Sequence, residues 1–236
     1  MTDYNLMENE DSNIALSSKL LLSVKMKNDT AALELQLKNN SMQQLTNELV
    51  SDDAKKCFWI NIYNSFYQII VNRSNGNATG IYKRKEIIIG QSTFSLDEIE
   101  HGILRRSRLK WSLGYLANPF ASKLIKSLAV DQVDYRIHFA LNCGAKSCPP
   151  IAFYNLQDLE EQLSDAMHSF ILSETIIDQN NKIITSSKIL FWYIGDFGGT
   201  KAIQKIISKV FEIDLGSYKI KYYSYNWDSA LDNFKE

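Results

Sequence analysis

Within residues 134–150 a histidine, His138, is followed by two cysteines, Cys143 and Cys148, in a loop punctuated by Gly144, Pro149 and Pro150. A thiol near an imidazole is the raw material of nucleophilic catalysis, because the thiolate is the reactive species and a neighbouring base generates it. The alternation of Tyr135, Ile137, Phe139 and Leu141 predicts a strand with these residues facing the core. Arg136, His138, Ala140 and Asn142 then point the other way, and the loop after them is the kind on which a rigid scaffold carries functional groups.

A second histidine competes for the same chemistry. Ser95-Leu-Asp-Glu98 matches a capping box, so a helix should begin there and run through Glu98 and His101 toward Arg106. Leu96, Ile99 and Ile103 would face the core, while Asp97, His101 and Arg105 stack at i, i+4 spacing on another face. Upstream, residues 54–71 are apolar nearly all round, as in a buried central helix. The exceptions, Cys57, Asn61, Asn64 and Gln68, are spaced to form one stripe along that helix.

The remaining elements must position these groups. Leu16, Leu20, Leu21 and Val24, then Ala32 to Leu49, predict an α-helical entry over residues 13–50, preceded by a flexible polar N-terminus at 1–12. Residues 86–94 read as a hairpin, 121–128 as a short helix, and Leu156, Leu159, Leu163, Met167, Phe170 and Ile171 as an amphipathic helix containing His168 at its surface or boundary. Residues 175–184 predict another hairpin, Ile203 to Phe211 a helix and Tyr218 to Tyr225 a late strand. Helices and strands mix without a βαβ rhythm, so the expected fold is α+β, one domain over 51–236 with a small, mainly antiparallel sheet and an N-terminal helical extension.

Composition excludes several classes. With 236 residues the chain can bury about 70–75% of its unfolded surface in a proper core. Its 26 basic and 27 acidic residues leave a charge of −1, which favours neither nucleic acid nor an acidic membrane. The basic runs 83–85 and 105–110 read as solvated faces, with anion binding as the weaker alternative. Three cysteines make no disulfide framework, the start lacks a signal-peptide pattern, and no run reaches the length of a membrane span; the expectation is a soluble, cytoplasmic protein.

Four blocks, 58–64, 95–105, 136–149 and 191–197, together resemble the domain of unknown function 547 family, in the family's order and over roughly residue 50 to the C-terminus. The resemblance implies which residues matter more than which reaction. Cys57 stands where the resemblance implies a small residue such as Ala, which counts against a role for that thiol.

The residues support a cysteine-dependent hydrolase or acyl transferase acting on an amide, ester or thioester of an unknown small-molecule or peptide substrate. Cys148 is the expected nucleophile, its thiol acidified by the start of a helix near Asn155 if the two are close. His101 is preferred as base over His138 because Glu100 or Glu98 can orient it. Asn61 and Asn64 would supply oxyanion donors, or else tie loop backbone, and Cys143, Asn142 and Ser147 would support the loop. If the fold is a permuted papain-like or transglutaminase-like one, histidine precedes cysteine as it does here. No cofactor is expected. A zinc site built from His101, His138, Cys143 and Cys148 is the weak alternative, its ligand spacing being poor. A reversible Cys143–Cys148 redox pair and a non-catalytic interaction module complete the readings.

Overall fold

The computed structural model describes residues 12–77 and 79–235, so the N-terminal segment expected to be flexible lies outside the described residues except for Ser12. Ser12 caps the first helix, α1 (Asn13–Lys25), by accepting the Ala15 N–H at 3.0 Å. Helices α2 (Ala31–Asn39) and α3 (Met42–Glu48) follow, and then the central helix α4 (Asp52–Arg73). Ser51 caps α4, Asp52 and Asp53 complement its positive end, and every residue from Ala54 to Val71 is buried. Leu16, Leu20 and Val24 of α1 share a hydrophobic cluster with Phe58, Trp59 and Ile62 of α4, so the entry helices complete the core.

The polar stripe of α4 is wholly buried, and three of its four members serve backbone. Asn61 donates to the Tyr154 carbonyl at 2.8 Å and accepts the Tyr154 N–H at 3.2 Å, while the Cys57 thiol donates to the same carbonyl. Asn64 donates to the Ala140 carbonyl and accepts the Asn142 N–H, each at 2.9 Å. Irregular chain on both sides of the cysteine loop is thereby sealed against a helix that water cannot reach.

The expected hairpin forms as β1 (Ile87–Ile89) and β2 (Ser92–Phe94). The capping box forms too: Ser95 Oγ accepts the Glu98 N–H at 3.2 Å and Glu98 Oε2 accepts the Ser95 N–H at 3.0 Å. The helix it opens, Glu98–Leu104, is π-helical, with Arg105 N–H donating to Glu100 O at 2.9 Å and Ser107 N–H to Gly102 O at 2.7 Å. A wide turn of this kind is rare and is often found at functional sites. Short helix α5 (Lys123–Leu128) lies against it.

The strand expected over residues 135–142 is not formed. Tyr135–Phe139 is a 3₁₀ helix with i to i+3 bonds, and Ile137, His138 and Phe139 are all buried. The cause is Asp134, whose carboxylate accepts the Arg136 N–H at 3.0 Å and so offers the backbone a turn in place of a ladder. His138, expected opposite the core face, is therefore 4% exposed.

Helix α6 (Leu159–Ser173) follows the cysteine loop and packs on this 3₁₀ turn. It begins at Leu159, later than the expected start near Asn155, and His168 is exposed on it. Strands β3 (Ile176–Asp178) and β4 (Ile183–Ser186) form the second hairpin, and β5 (Lys219–Tyr222) joins β4 in parallel. Helices α7 (Ile189–Trp192) and α8 (Thr200–Phe211) complete an α+β fold. Among the described residues no helix is long and apolar enough to cross a membrane.

Replacing Asn61 by Ala should lower unfolding stability by about 1–3 kcal/mol, because the Tyr154 N–H would be left buried without a partner. Urea denaturation measures this, and a loss near zero would show that the α4 stripe is not holding the Tyr154 segment.

Candidate functional site

The cysteine loop lies where two hydrophobic clusters meet, with Ala140 and Leu141 in one and Phe139, Ala145 and Cys148 in the other. Its shape is fixed from three sides. Asn142 donates to the Pro149 carbonyl and accepts the Gly144 N–H, each at 2.7 Å, closing the loop upon itself. The C-terminal segment straps it through Lys146 N–H to Asp228 O and Ala230 N–H to Gly144 O, and Ser147 Oγ accepts the Asn226 N–H. Gly144 has φ +71° and its Cα faces the Tyr67 ring, so a side chain would be both strained and blocked there.

Cys143 and Cys148 are joined in a disulfide. Cys148 Sγ accepts the Cys143 N–H at 3.1 Å and lies 3.1 Å from the Tyr225 hydroxyl, which is 3.5 Å from Cys143 Sγ. Disulfide sulfurs carry no proton, so the phenol is the donor. Burial pushes the Tyr225 hydroxyl well above its ordinary value and keeps that proton in place.

A cavity of about 320 Å³ is lined by both cysteines together with His138, Glu100, Tyr63 and Tyr193. His138 Nε2 lies 2.8 Å from Asp196 Oδ2, and its ring stacks on Tyr193 at 3.7 Å. A carboxylate only accepts, so Nε2 carries the hydrogen and Nδ1 is the basic nitrogen of the neutral ring. Burial lowers the His138 pKa; the Asp196 hydrogen bond opposes this but does not overcome it, and the nearby Arg105 charge adds to the lowering.

Arg105 is completely buried. Its Nε donates to Asp196 Oδ2 at 2.5 Å, its Nη1 lies 2.7 Å from His101 Nδ1, and its guanidinium sits 4.6 Å from the centre of the Tyr193 ring. A guanidinium only donates, so His101 Nδ1 must accept and the His101 ring is neutral. Burial lowers the His101 pKa, and the adjacent Arg105 charge offsets the pull of Glu100 in the other direction. Burial works to raise the Glu100 and Asp196 carboxyls, but the Arg105 charge and the Tyr193 hydrogen bond hold Glu100 low, and hydrogen bonds from His138 and Arg105 do the same for Asp196.

The residues singled out in the sequence are thus divided. Cys148, Cys143, His138 and Glu100 line one cavity, whereas His101, Glu98 and Asp97 line a second hollow, with Lys110 bordering both. Glu98 is spent on the capping box and on Lys85, 2.8 Å away. Asn61, Asn64 and Asn142 tie backbone, and Ser147 holds the C-terminal strap. Pro149, Pro150 and a further loop separate Cys148 from the start of α6 at Leu159. Among the described residues no group of three or more His, Cys, Asp or Glu side chains is arranged to hold a metal ion. The four residues weighed for zinc do not converge: the sulfurs are bonded to each other, and His101 is directed to Arg105.

Sequence reasoning missed Asp196 as the partner of His138, and missed the tyrosines. Arg105 belonged to a run read as a solvated face, yet it is the cluster's central cation; its i, i+4 spacing from His101 was the available signal. The block 191–197 contains Asp196, but no spacing ties it to His138, 58 residues away.

A family model described as a protein of unknown function, DUF547, matches residues 47–171. No curated protein and no solved structure matches the chain.

Both buried imidazoles titrate below 6.5 in the fold and near 6.5 when unfolded, so the unfolded chain takes up protons first as pH falls. Stability present above pH 6.5 should be lost below it, by up to about 1.4 kcal/mol per pH unit for each histidine. The urea midpoint should therefore fall steadily from pH 7 to pH 5; a constant midpoint would contradict the neutral assignment.

Proposed function

The chain belongs to the DUF547 family, and from that premise, which leaves the reaction open, we propose that it is a cysteine-dependent hydrolase or acyl transferase active in its dithiol form. The observation that carries this reading is that Cys148 and His138 line one cavity while Asp196 holds the histidine's far nitrogen at 2.8 Å. With Nε2–H fixed on Asp196, His138 Nδ1 is the nitrogen left to take the Cys148 proton. The resulting thiolate attacks the carbonyl carbon of an ester, amide or thioester. The imidazolium returns the proton to the departing alcohol, amine or thiol, and the acyl group rests on Cys148 as a thioester. Water or a second nucleophile, deprotonated by the same nitrogen, then releases it.

Two donors favour the thiolate at Cys148: the Cys143 N–H and the Tyr225 hydroxyl, both at 3.1 Å from its sulfur. His138 replaces His101 as the base because Arg105 already occupies His101 Nδ1. A reducing compartment, the cytoplasm in this reading, would hold the pair as thiols.

The Cys143–Cys148 disulfide favours a second reading, thiol–disulfide exchange, in which two thiols reduce a substrate disulfide and become this bond. The two readings part at Cys143. After reduction by a phosphine, wild type and Cys143→Ser should both turn over p-nitrophenyl esters, while Cys148→Ser and His138→Gln lose about 10²–10⁴-fold. Exchange chemistry requires both thiols, so turnover of glutathione disulfide but not of esters, abolished by Cys143→Ser, would overturn the acyl-transfer reading in favour of the second.

A further inference from the structure

The charges around the cavity do not balance. Glu100 and Asp196 are two carboxylates buried at the site, and Arg105 is the one buried guanidinium facing them. His101 accepts from Arg105 and is neutral, and burial together with the nearby Arg105 charge lowers the His138 pKa, so that ring is neutral at pH 7 as well. Lys110 also lines the cavity, but its side chain is 62% exposed, and its ammonium is paired with Asp97 at 3.2 Å. One negative charge is left without a buried counterpart, and low-dielectric surroundings make such an excess costly until a cation arrives.

Glu100 is the carboxylate that lines the cavity. Its Oε1 accepts from the Tyr193 hydroxyl at 2.6 Å and its Oε2 from Tyr63 at 3.3 Å. A carboxylate offers about four acceptor positions, so two remain. Burial holds both phenols far above their ordinary pKa, so they remain neutral donors and supply no cation.

The rest of the wall is aromatic. Trp192, Tyr225 and Trp227 form a contiguous trio with ring centres 4.6–5.6 Å apart, and Tyr82 and Tyr193 also line the space. Ring faces attract ammonium groups, most strongly where water is excluded. The protein itself provides an example at the same cavity: the Lys110 ammonium sits 5.2 Å from the centre of the Tyr82 ring.

We infer that the cavity recognises ligands bearing an ammonium group, primary or quaternary, seated against Glu100 and the aromatic wall of Trp192, Tyr225 and Trp227. Taken with the acyl-transfer reading, on which only this last step rests, the substrate is an ester, amide or thioester whose acyl or leaving part carries that cation. A purely anionic substrate is disfavoured by the same unbalanced charge.

Binding can be tested on the disulfide form, in which Cys148 has no free thiol and no turnover intervenes. Choline and its uncharged isostere 3,3-dimethylbutan-1-ol have nearly the same shape, and Trp192 and Trp227 report occupancy by fluorescence. Choline should bind about tenfold tighter or more than the alcohol. Glu100→Gln should remove most of that difference while leaving the alcohol unaffected. Should Glu100→Gln not fold, Trp227→Ala, altering a residue 62% exposed, should weaken choline severalfold. Equal affinity for choline and the alcohol, or no binding of either, overturns the inference. Loss of ester turnover with choline binding intact would instead count against the acyl-transfer reading alone.

Discussion

Arg105 is the constraint on which the site depends. A guanidinium cannot shed its charge, and one with no solvent exposure must be met by acceptors. Asp196 and His101 meet it, and the Tyr193 ring covers it. Each contact fixes something else. Asp196, held by Arg105, presents the same oxygen to His138 and sets that ring's tautomer. His101, occupied at Nδ1, is kept neutral and directed away from the cysteines. The π-helical turn sets Glu100, His101 and Arg105 at the junction, its register anchored by the Ser95–Glu98 capping box. The partner segment is locked in turn: Gly195 N–H donates to Leu113 O at 2.8 Å, and Gly114, at φ +90°, presses its Cα against Asp196. A residue with a Cβ at Gly114 would displace the carboxylate on which both Arg105 and His138 rely.

A second constraint acts on backbone. The cysteine loop and the segment around Tyr154 lack regular structure, so their N–H and C=O groups need partners in a dry place. Helix α4 provides them through Asn61 and Asn64, whose amides each present one donor and one acceptor to neighbouring chain. The cost of burying these amides is offset by satisfying backbone that would otherwise be orphaned. Neither amide lines the cavity that holds the cysteines, so both act here as ties for backbone.

These two constraints differ in how far the sequence reveals them. The α4 stripe, the capping box and the α6 pattern were legible because each is a local periodicity acting within a few residues. The 3₁₀ turn at Tyr135–Phe139 was misread because apolar alternation says which residues are buried, not whether a neighbouring strand exists to pair with. The outcome there was decided by the Asp134 carboxylate on the Arg136 N–H. The cysteines, His138 and Glu100 could be selected by type, but their partners could not. Asp196 is 91 residues from Arg105, and Tyr225 is 77 residues from Cys148; no spacing rule operates over such distances. Arg105 looked like part of a basic surface because a run of arginines carries no mark of which one turns inward.

The two sulfurs are not equivalent, and the asymmetry comes from the same packing. Cys148 is buried and receives two hydrogen bonds, from the Cys143 N–H and from Tyr225, both at 3.1 Å; Cys143 is half-buried and has only the longer contact to the phenol. Burial in apolar surroundings by itself disfavours a thiolate, and donors aimed at the sulfur favour it. Of the two, the sulfur with more donors better tolerates negative charge, whether that charge arises when a thiol loses its proton or when the disulfide is opened. Tyr225 can supply its hydrogen bond in both cases because burial keeps its own proton bound. The strap from residues 226–230 and the Asn142 bonds restrain the loop backbone independently of the disulfide. Opening the disulfide therefore leaves those restraints in place and exposes Cys148 to the cavity with its donors already set.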